Sequence, residues 1–247
     1  MTHSDMKLDL NCDLGEGEAL TRTRALMRWV SSGNVACGGH AGNLATMKAC
    51  VAMASQFCVR LGAHPGPLSR GDFGRTPIKI TPDEMELLLL QQVGALERLA
   101  RAEGVKMHHV KLHGALYHAS ETDGAVARRY VETVKRCWPG AKIYARAGGR
   151  VAAMARRAGL TAWEEAYIDR GYRNDGSLLP RGERGALWTD IDDVVERVCL
   201  LLASGVIATE SGKRLPCRPR TLCVHSDTPN VAFIARAVAR LLHLCER

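Results

Sequence analysis

The sequence predicts an α/β fold, a distorted (β/α) TIM-like barrel, and three observations carry that expectation. Short β-like runs alternate with amphipathic helical stretches from end to end, which is the pattern of βαβ units around a parallel sheet. The chain has 247 residues and is 46% hydrophobic, enough to bury a large core. Nearly every strand run ends in polar, chemically capable residues. An open sheet gathers its ligands at one switch point, whereas a barrel draws functional groups from the C-terminal ends of many strands.

The strand runs in order are Lys7–Asn11, Asn34–Cys37, Val59–Ala63, His108–Leu112, Ala141–Ala145, Thr161–Tyr167 and Thr221–His225. Helices between them carry start and stop signals. Asn43 is placed to cap the helix bearing Met47, Cys50, Val51 and Ala54. Thr81-Pro82-Asp83-Glu84 combines an N-cap threonine, a proline in the first turn and a capping-box glutamate, and Gly104 is placed to end that helix. Thr189 with Asp192 opens another helix that stops near Gly205, and Thr228-Pro229 opens the last. The stretch Asp169–Leu187, rich in Gly, Arg and Asp, reads as a long functional loop. No internal repeat or low-complexity segment interrupts the alternation, so one barrel domain is expected over residues 1–247, with residues 1–5 a disordered extension and Met6 an alternative start.

The net charge of +8 is spread along helices, as in Arg22, Arg24 and Arg28, without interleaved aromatics. That is the pattern of solvated helix faces, and no nucleic-acid partner is expected. No run approaches the roughly 18 apolar residues of a membrane span, and the N-terminus lacks an apolar signal region. The nine cysteines include no C-x-x-C pair and sit mostly in apolar stretches. Reduced thiols in a cytoplasmic protein are the expectation.

Asp9, Asn11 and Asp13 alternate along the first strand and share one face. Buried carboxylates on one face are costly unless they bind something. Glycines around His40 allow that side chain to be presented at a strand mouth, as His64 is at the next. Lys111 and His113 lie in phase with His109 on the fourth strand. Asp13, His40, His64, Lys111 and His113 are therefore the candidate catalytic residues. Two chemistries remain open. Asp13, His40 and His64 could hold a divalent metal with a position left for water. Alternatively, Asp13 or a histidine acts as general base while Lys111 stabilises an oxyanion. Cys37 follows an apolar Val35-Ala36 and reads as a buried structural thiol rather than a nucleophile. No phosphate loop is present: Ile207 stands where the first glycine before Gly212-Lys213 is required, and Leu20 breaks the glycine pattern after Gly15.

Eight segments in order resemble the LamB/YcsF family: DLNCDLGEG at 9–17, NVACGGHAGN at 34–43, GAHPG at 62–66, FGR at 73–75, HVKLHGALY at 109–117, DRGY at 169–172, DGSLLPR at 175–181 and CVHSDTP at 223–229. The resemblance covers the chain after Met6. It implies a seven-stranded barrel of the glycoside hydrolase/deacetylase superfamily type. It also implies hydrolysis of the lactam 5-oxo-L-proline to L-glutamate, coupled to ATP, with two partner subunits, B and C. ATP would then be a co-substrate of the assembly, bound without a P-loop here. Arg170 or Arg181 is suited to a bidentate pair with the substrate carboxylate. Asn11, Arg75, Asp169, His225 and Asp227 complete the expected substrate-binding set. Three positions depart from the family pattern. Leu68-Ser69-Arg70 lacks the usual aspartate, whose role Asp72 could take; Ser226 replaces a usual glycine; His118 replaces a common asparagine. The rival functions are a stand-alone metal-dependent deacetylase or amidohydrolase acting on a small acylated substrate, and a non-catalytic scaffold for the partners.

Overall fold

The computed structural model describes residues 8–244. The expected extension at residues 1–5, the Met6 start, Lys7 of the first strand run and Cys245 lie outside the described residues. The elements run β1 (Asp9–Leu14), α1 (Leu20–Met27), β2 (Ser32–Ala36), α2 (Leu44–Gln56), β3 (Arg60–His64), α3 (Pro82–Ala102), β4 (Met107–Lys111), α4 (Gly114–Thr122) and α5 (Gly124–Cys137). They continue with β5 (Lys142–Arg146), α6 (Arg150–Arg157), β6 (Ala162–Tyr167), α7 (Ile191–Ser204), β7 (Val206–Ala208), β8 (Arg214–Pro216), β9 (Thr221–His225) and α8 (Val231–Leu244). Strands β1-β2-β3-β4-β5-β6-β9 close a parallel barrel. The hairpin β7–β8 stands apart as an antiparallel pair. Among the described residues no helix is long and apolar enough to cross a membrane.

Helix signals locate most of the outer ring. Asn43 and Thr46 cap α2 reciprocally, and Thr81 with Glu84 does the same for α3. Helix α3 buries Met85, Leu89, Val93 and Leu96, spaced three and four residues apart on one face. Two expected starts are corrected. Asp190 rather than Thr189 caps α7, accepting from the backbone N–H of Asp192 and Asp193. Thr228-Pro229 does not open α8, which begins at Val231; the Thr228 hydroxyl instead donates to Asp169. The stretch after β6 folds back on itself through bridges pairing Arg170 with Leu187 and Tyr172 with Leu178.

The barrel interior is polar and layered. At its N-terminal end, Asp9 accepts hydrogen bonds from Ser32, Thr221 and Arg60, with Tyr144 beside it. One layer up, the Asn34 amide donates to Asn11 and Asp13, and His109 Nε2–H donates to the Asn34 oxygen. Gly62 is required at this level, because a Cβ there would lie 2.0 Å from His109 Nε2. At the C-terminal end stand Asp13, Lys111, Glu165 and His225. The alternation read on the first strand thus sets Asp9, Asn11 and Asp13 in three successive layers. The apolar core lies between the barrel's outer face and the helices.

Candidate active site

A cavity of about 470 Å³ opens at the C-terminal end of the barrel. Its lining includes Asp13, His64, Lys111, His113, Arg75, Arg170, Arg181 and His225. Of the remaining candidates, His40, Asn11 and Asp169 lie behind that lining. His40 stacks on His113, with ring centroids 3.5 Å apart and planes within 2°. Asn11 sits one layer below and does not line the cavity: it donates to Thr221 Oγ1 at 2.7 Å and accepts from Asn34 and, at 3.4 Å, from Lys111. Asp169 is fully buried behind His225. Asp227 is at the mouth, where its Oδ2 pairs with Arg75 at 2.7 Å and Arg181 at 3.0 Å.

Asp13 divides its oxygens between two tasks. Oδ1 takes the Lys111 ammonium at 2.9 Å and the Asn34 amide at 2.7 Å. Oδ2 faces His64 Nε2 at 3.4 Å and His225 Nε2 at 3.9 Å. Burial opposes ionisation of Asp13, but attraction to His64 and then Lys111 outweighs it and holds the carboxyl well below its usual range. Lys111 also faces Glu165 at 3.1 Å and Cys223 Sγ at 3.0 Å. Burial would deprotonate it, yet Asp13 keeps its pKa well above the ordinary lysine value. Its ammonium donates hydrogen bonds to Asp13, to Cys223 and, at 3.4 Å, to Asn11, with the Glu165 carboxylate beside it as a charge partner.

His225 forms a dyad with Asp169. Its Nδ1–H donates to the Asp169 carboxylate at 3.0 Å, which leaves Nε2 facing the cavity. Asp169 also accepts the His225 backbone N–H and the Thr228 hydroxyl. Burial raises the Asp169 pKa, but attraction to His225 and these hydrogen bonds bring it down to about 2.

The metal trio expected from the sequence is corrected. The carboxylate that reaches His40 is Glu16, at 2.9 Å from Nε2, whereas Asp13 is engaged by Lys111. Glu16, His40, His64 and His113 each place one ligand atom within 4.8 Å of the others, a cluster able to hold a metal ion. The Gly15–Gly17 turn aims Glu16 inward, with the backbone N–H groups of Gly15 and Glu16 bound to the Glu18 carboxylate. Burial opposes the charge on Glu16, yet the His113 and His40 imidazoles at its oxygen hold its pKa well below the usual carboxylate range. Burial brings His40 down to about 4 and lowers His113, whereas Asp13 outweighs burial at His64 and raises it. Cys37 donates its S–H to the Val35 carbonyl, and burial pushes its thiol to about 12, as suits a structural cysteine.

Two buried carboxylates were missing from the expected set, Glu16 and Glu165. Glu165 was open to detection, since Glu165 and Tyr167 have the same parity on a recognised strand. Glu16 had no strand to mark it, because a turn presents it.

At the mouth Arg75 and Arg181 share one carboxylate, Asp227, and Arg170 stands beside them without a carboxylate partner among the described residues. Arg170 is 7% exposed and donates only to the backbone carbonyls of Ala186 and Leu179. Burial lowers its pKa, and repulsion from Arg181 and Arg75 adds to that.

The profile of the LamB/YcsF family matches residues 8–246. Among its relatives, the A subunit of 5-oxoprolinase from Streptomyces avermitilis is 42% identical over 94% of each chain. Its counterpart from Pyrococcus abyssi is 38% identical over 96% of this chain and 94% of its own. Among solved structures, the lactam utilization protein of Thermus thermophilus superposes with a TM-score of 0.88, at 36% identity and 97% coverage of both chains. A putative cellobiose-phosphate cleavage protein of Enterococcus faecalis shares the fold alone, with a TM-score of 0.56 at 10% identity.

Proposed function

The chain belongs to the LamB/YcsF family, and from that premise we propose that it is the A subunit of an ATP-dependent 5-oxoprolinase, the component that opens the lactam of 5-oxo-L-proline to L-glutamate. The observation that carries this reading is the convergence of Asp13 Oδ2 and His225 Nε2, 3.9 Å apart, at the floor of a cavity with an arginine-rich mouth.

A lactam carbonyl is stabilised by resonance, so its opening needs a positioned water, a base and a proton donor for the departing nitrogen. Asp13 Oδ2 takes a proton from water as its oxygen bonds to the carbonyl carbon. His225, when protonated at Nε2, gives a proton to the ring nitrogen as the C–N bond breaks. That nitrogen becomes the amine of glutamate. Asp169 holds the His225 ring in the tautomer that presents Nε2, and Lys111 keeps Asp13 ionised. Arg170, Arg181 and Arg75 supply charge for the substrate carboxylate, and bidentate pairing suits a planar guanidinium.

In this reading ATP is a co-substrate of the assembly with subunits B and C, used through another kind of site than a phosphate loop or through another subunit, and this chain contributes to opening the lactam. The reading places the protein in the cytoplasm, consistent with the free state of every described cysteine. Glutamate release from 5-oxo-L-proline, with and without ATP and the two partners, tests it. Asp13→Asn should abolish release in the full mixture, and release by that variant near the wild-type rate would count against the assignment.

A further inference from the structure

We propose that Glu16, His64 and His113 form a centre for one divalent first-row transition ion, such as Zn²⁺, with an open position toward the cavity. The proposal stands on hydrogen positions that the backbone dictates. A carbonyl only accepts, so the ring nitrogen facing one must carry a hydrogen. His64 Nδ1 lies 2.8 Å from the Lys111 carbonyl, and His113 Nε2 lies 2.9 Å from the Phe73 carbonyl. In the neutral rings the other nitrogens, His64 Nε2 and His113 Nδ1, are bare lone pairs. They lie 3.0 Å apart and face Glu16 Oε1 at 3.5 Å and 3.2 Å. Three electron-rich atoms converging in a buried space repel one another unless a metal ion or a proton sits among them.

The dimensions suit such an ion. Bonds of about 2.0–2.1 Å in a tetrahedron give donor–donor edges of about 3.3–3.4 Å. The rings of His64 and His113 are nearly perpendicular, at 87°, so their lone-pair directions can meet. A histidine whose second N–H is fixed by a backbone carbonyl is the arrangement that orients metal ligands. His40 is excluded from sharing that ion with His113. An imidazole binds in its own plane, and the parallel planes of these two rings, with centroids 3.5 Å apart, have no common point. His40 instead holds Glu16 from behind, through the 2.9 Å contact at Nε2. Gly66 makes room for it, since a Cβ there would lie 2.1 Å from His40 Nδ1. His64 and His113 line the cavity, so the unfilled coordination position faces substrate. A bound ion there supplies a Lewis acid and lowers the pKa of a coordinated water.

The proposal does not depend on the lactam reading, and its test is separate from turnover. The full-length chain is produced in medium supplemented with Zn²⁺, Mn²⁺ and Co²⁺, purified without chelator, and analysed for metal by mass spectrometry. The expected result is about one ion per chain, with occupancy at least about tenfold lower in Glu16→Gln and His113→Gln and retained in His40→Gln. Should those variants misfold, the Co²⁺-loaded wild type decides. Intense visible bands of a four- or five-coordinate ion support the centre, and the weak spectrum of six-coordinate Co²⁺ overturns it. Wild-type protein that retains no stoichiometric ion, and whose Tm is unmoved by chelator or added Zn²⁺, also overturns it; a proton on His64 Nε2 then fills the gap. Undiminished metal in both Glu16→Gln and His113→Gln overturns the ligand assignment.

Discussion

Asp13 Oδ1 is committed to Lys111 and Asn34, and only Oδ2 is left for chemistry. Lys111→Ala should therefore act on stability as well as on rate. It leaves Asp13 and Glu165 buried without their cation, which costs roughly 3–5 kcal/mol, and a urea titration of the folded chain measures this directly. Asp169 governs a pH dependence. Its pKa in the fold, about 2, lies below its unfolded value. The stability it contributes is present above an unfolded pKa of about 3.9 and disappears as pH falls toward the folded value. The full increment is roughly 2–3 kcal/mol, about half of it lost between about pH 5 and about pH 3, and Asp169→Asn should remove roughly 1 kcal/mol of the difference in unfolding free energy between those two pH values. An unchanged pH profile in the variant would contradict the dyad. At this scale the sequence was legible where chemistry follows strand parity, as for Asp13, Lys111 and His225. It was illegible for Glu16, which a turn aims inward, and for the Asp169–His225 contact, which joins residues far apart in the chain.

Capping chemistry made α2 and α3 legible to within a residue, because Asn43 and Thr81 act on backbone groups only three positions away. Thr81→Ala should lower stability by about 1 kcal/mol, read as a shift of the urea midpoint at unchanged slope. The strands were found with their ends displaced by a few residues at most. The largest shift is at β1, where the polar Asn11 and Asp13 ended the expected run although the barrel interior is itself polar. The hairpin β7–β8 was missed, since strands of three residues with exposed Arg214 and Pro216 carry no alternation to read. The expected helix start at Thr228-Pro229 failed for a physical reason. Thr228 is drawn into the site by its 2.6 Å bond to Asp169, and Asn230 then takes a positive φ before the helix begins.

At the scale of the whole molecule, barrel closure brings β9 against β1, so that Asp13 and His225 become direct neighbours in register across 212 positions of sequence. The stretch after β6 folds over the cavity and supplies Arg170 and Arg181 to its mouth. This architecture provides an acid–base floor and a cationic entrance, and the chain's sequence provides no phosphate loop for ATP. The account therefore places ring opening in this chain and ATP use in the assembly with its partners. The most direct test is glutamate release from 5-oxo-L-proline by the purified chain, alone and combined with subunits B and C, each with and without ATP. The account predicts release only from the complete mixture with ATP, abolished by Asp13→Asn. Release by the chain alone without ATP, or undiminished release by the complete mixture carrying Asp13→Asn, would contradict it.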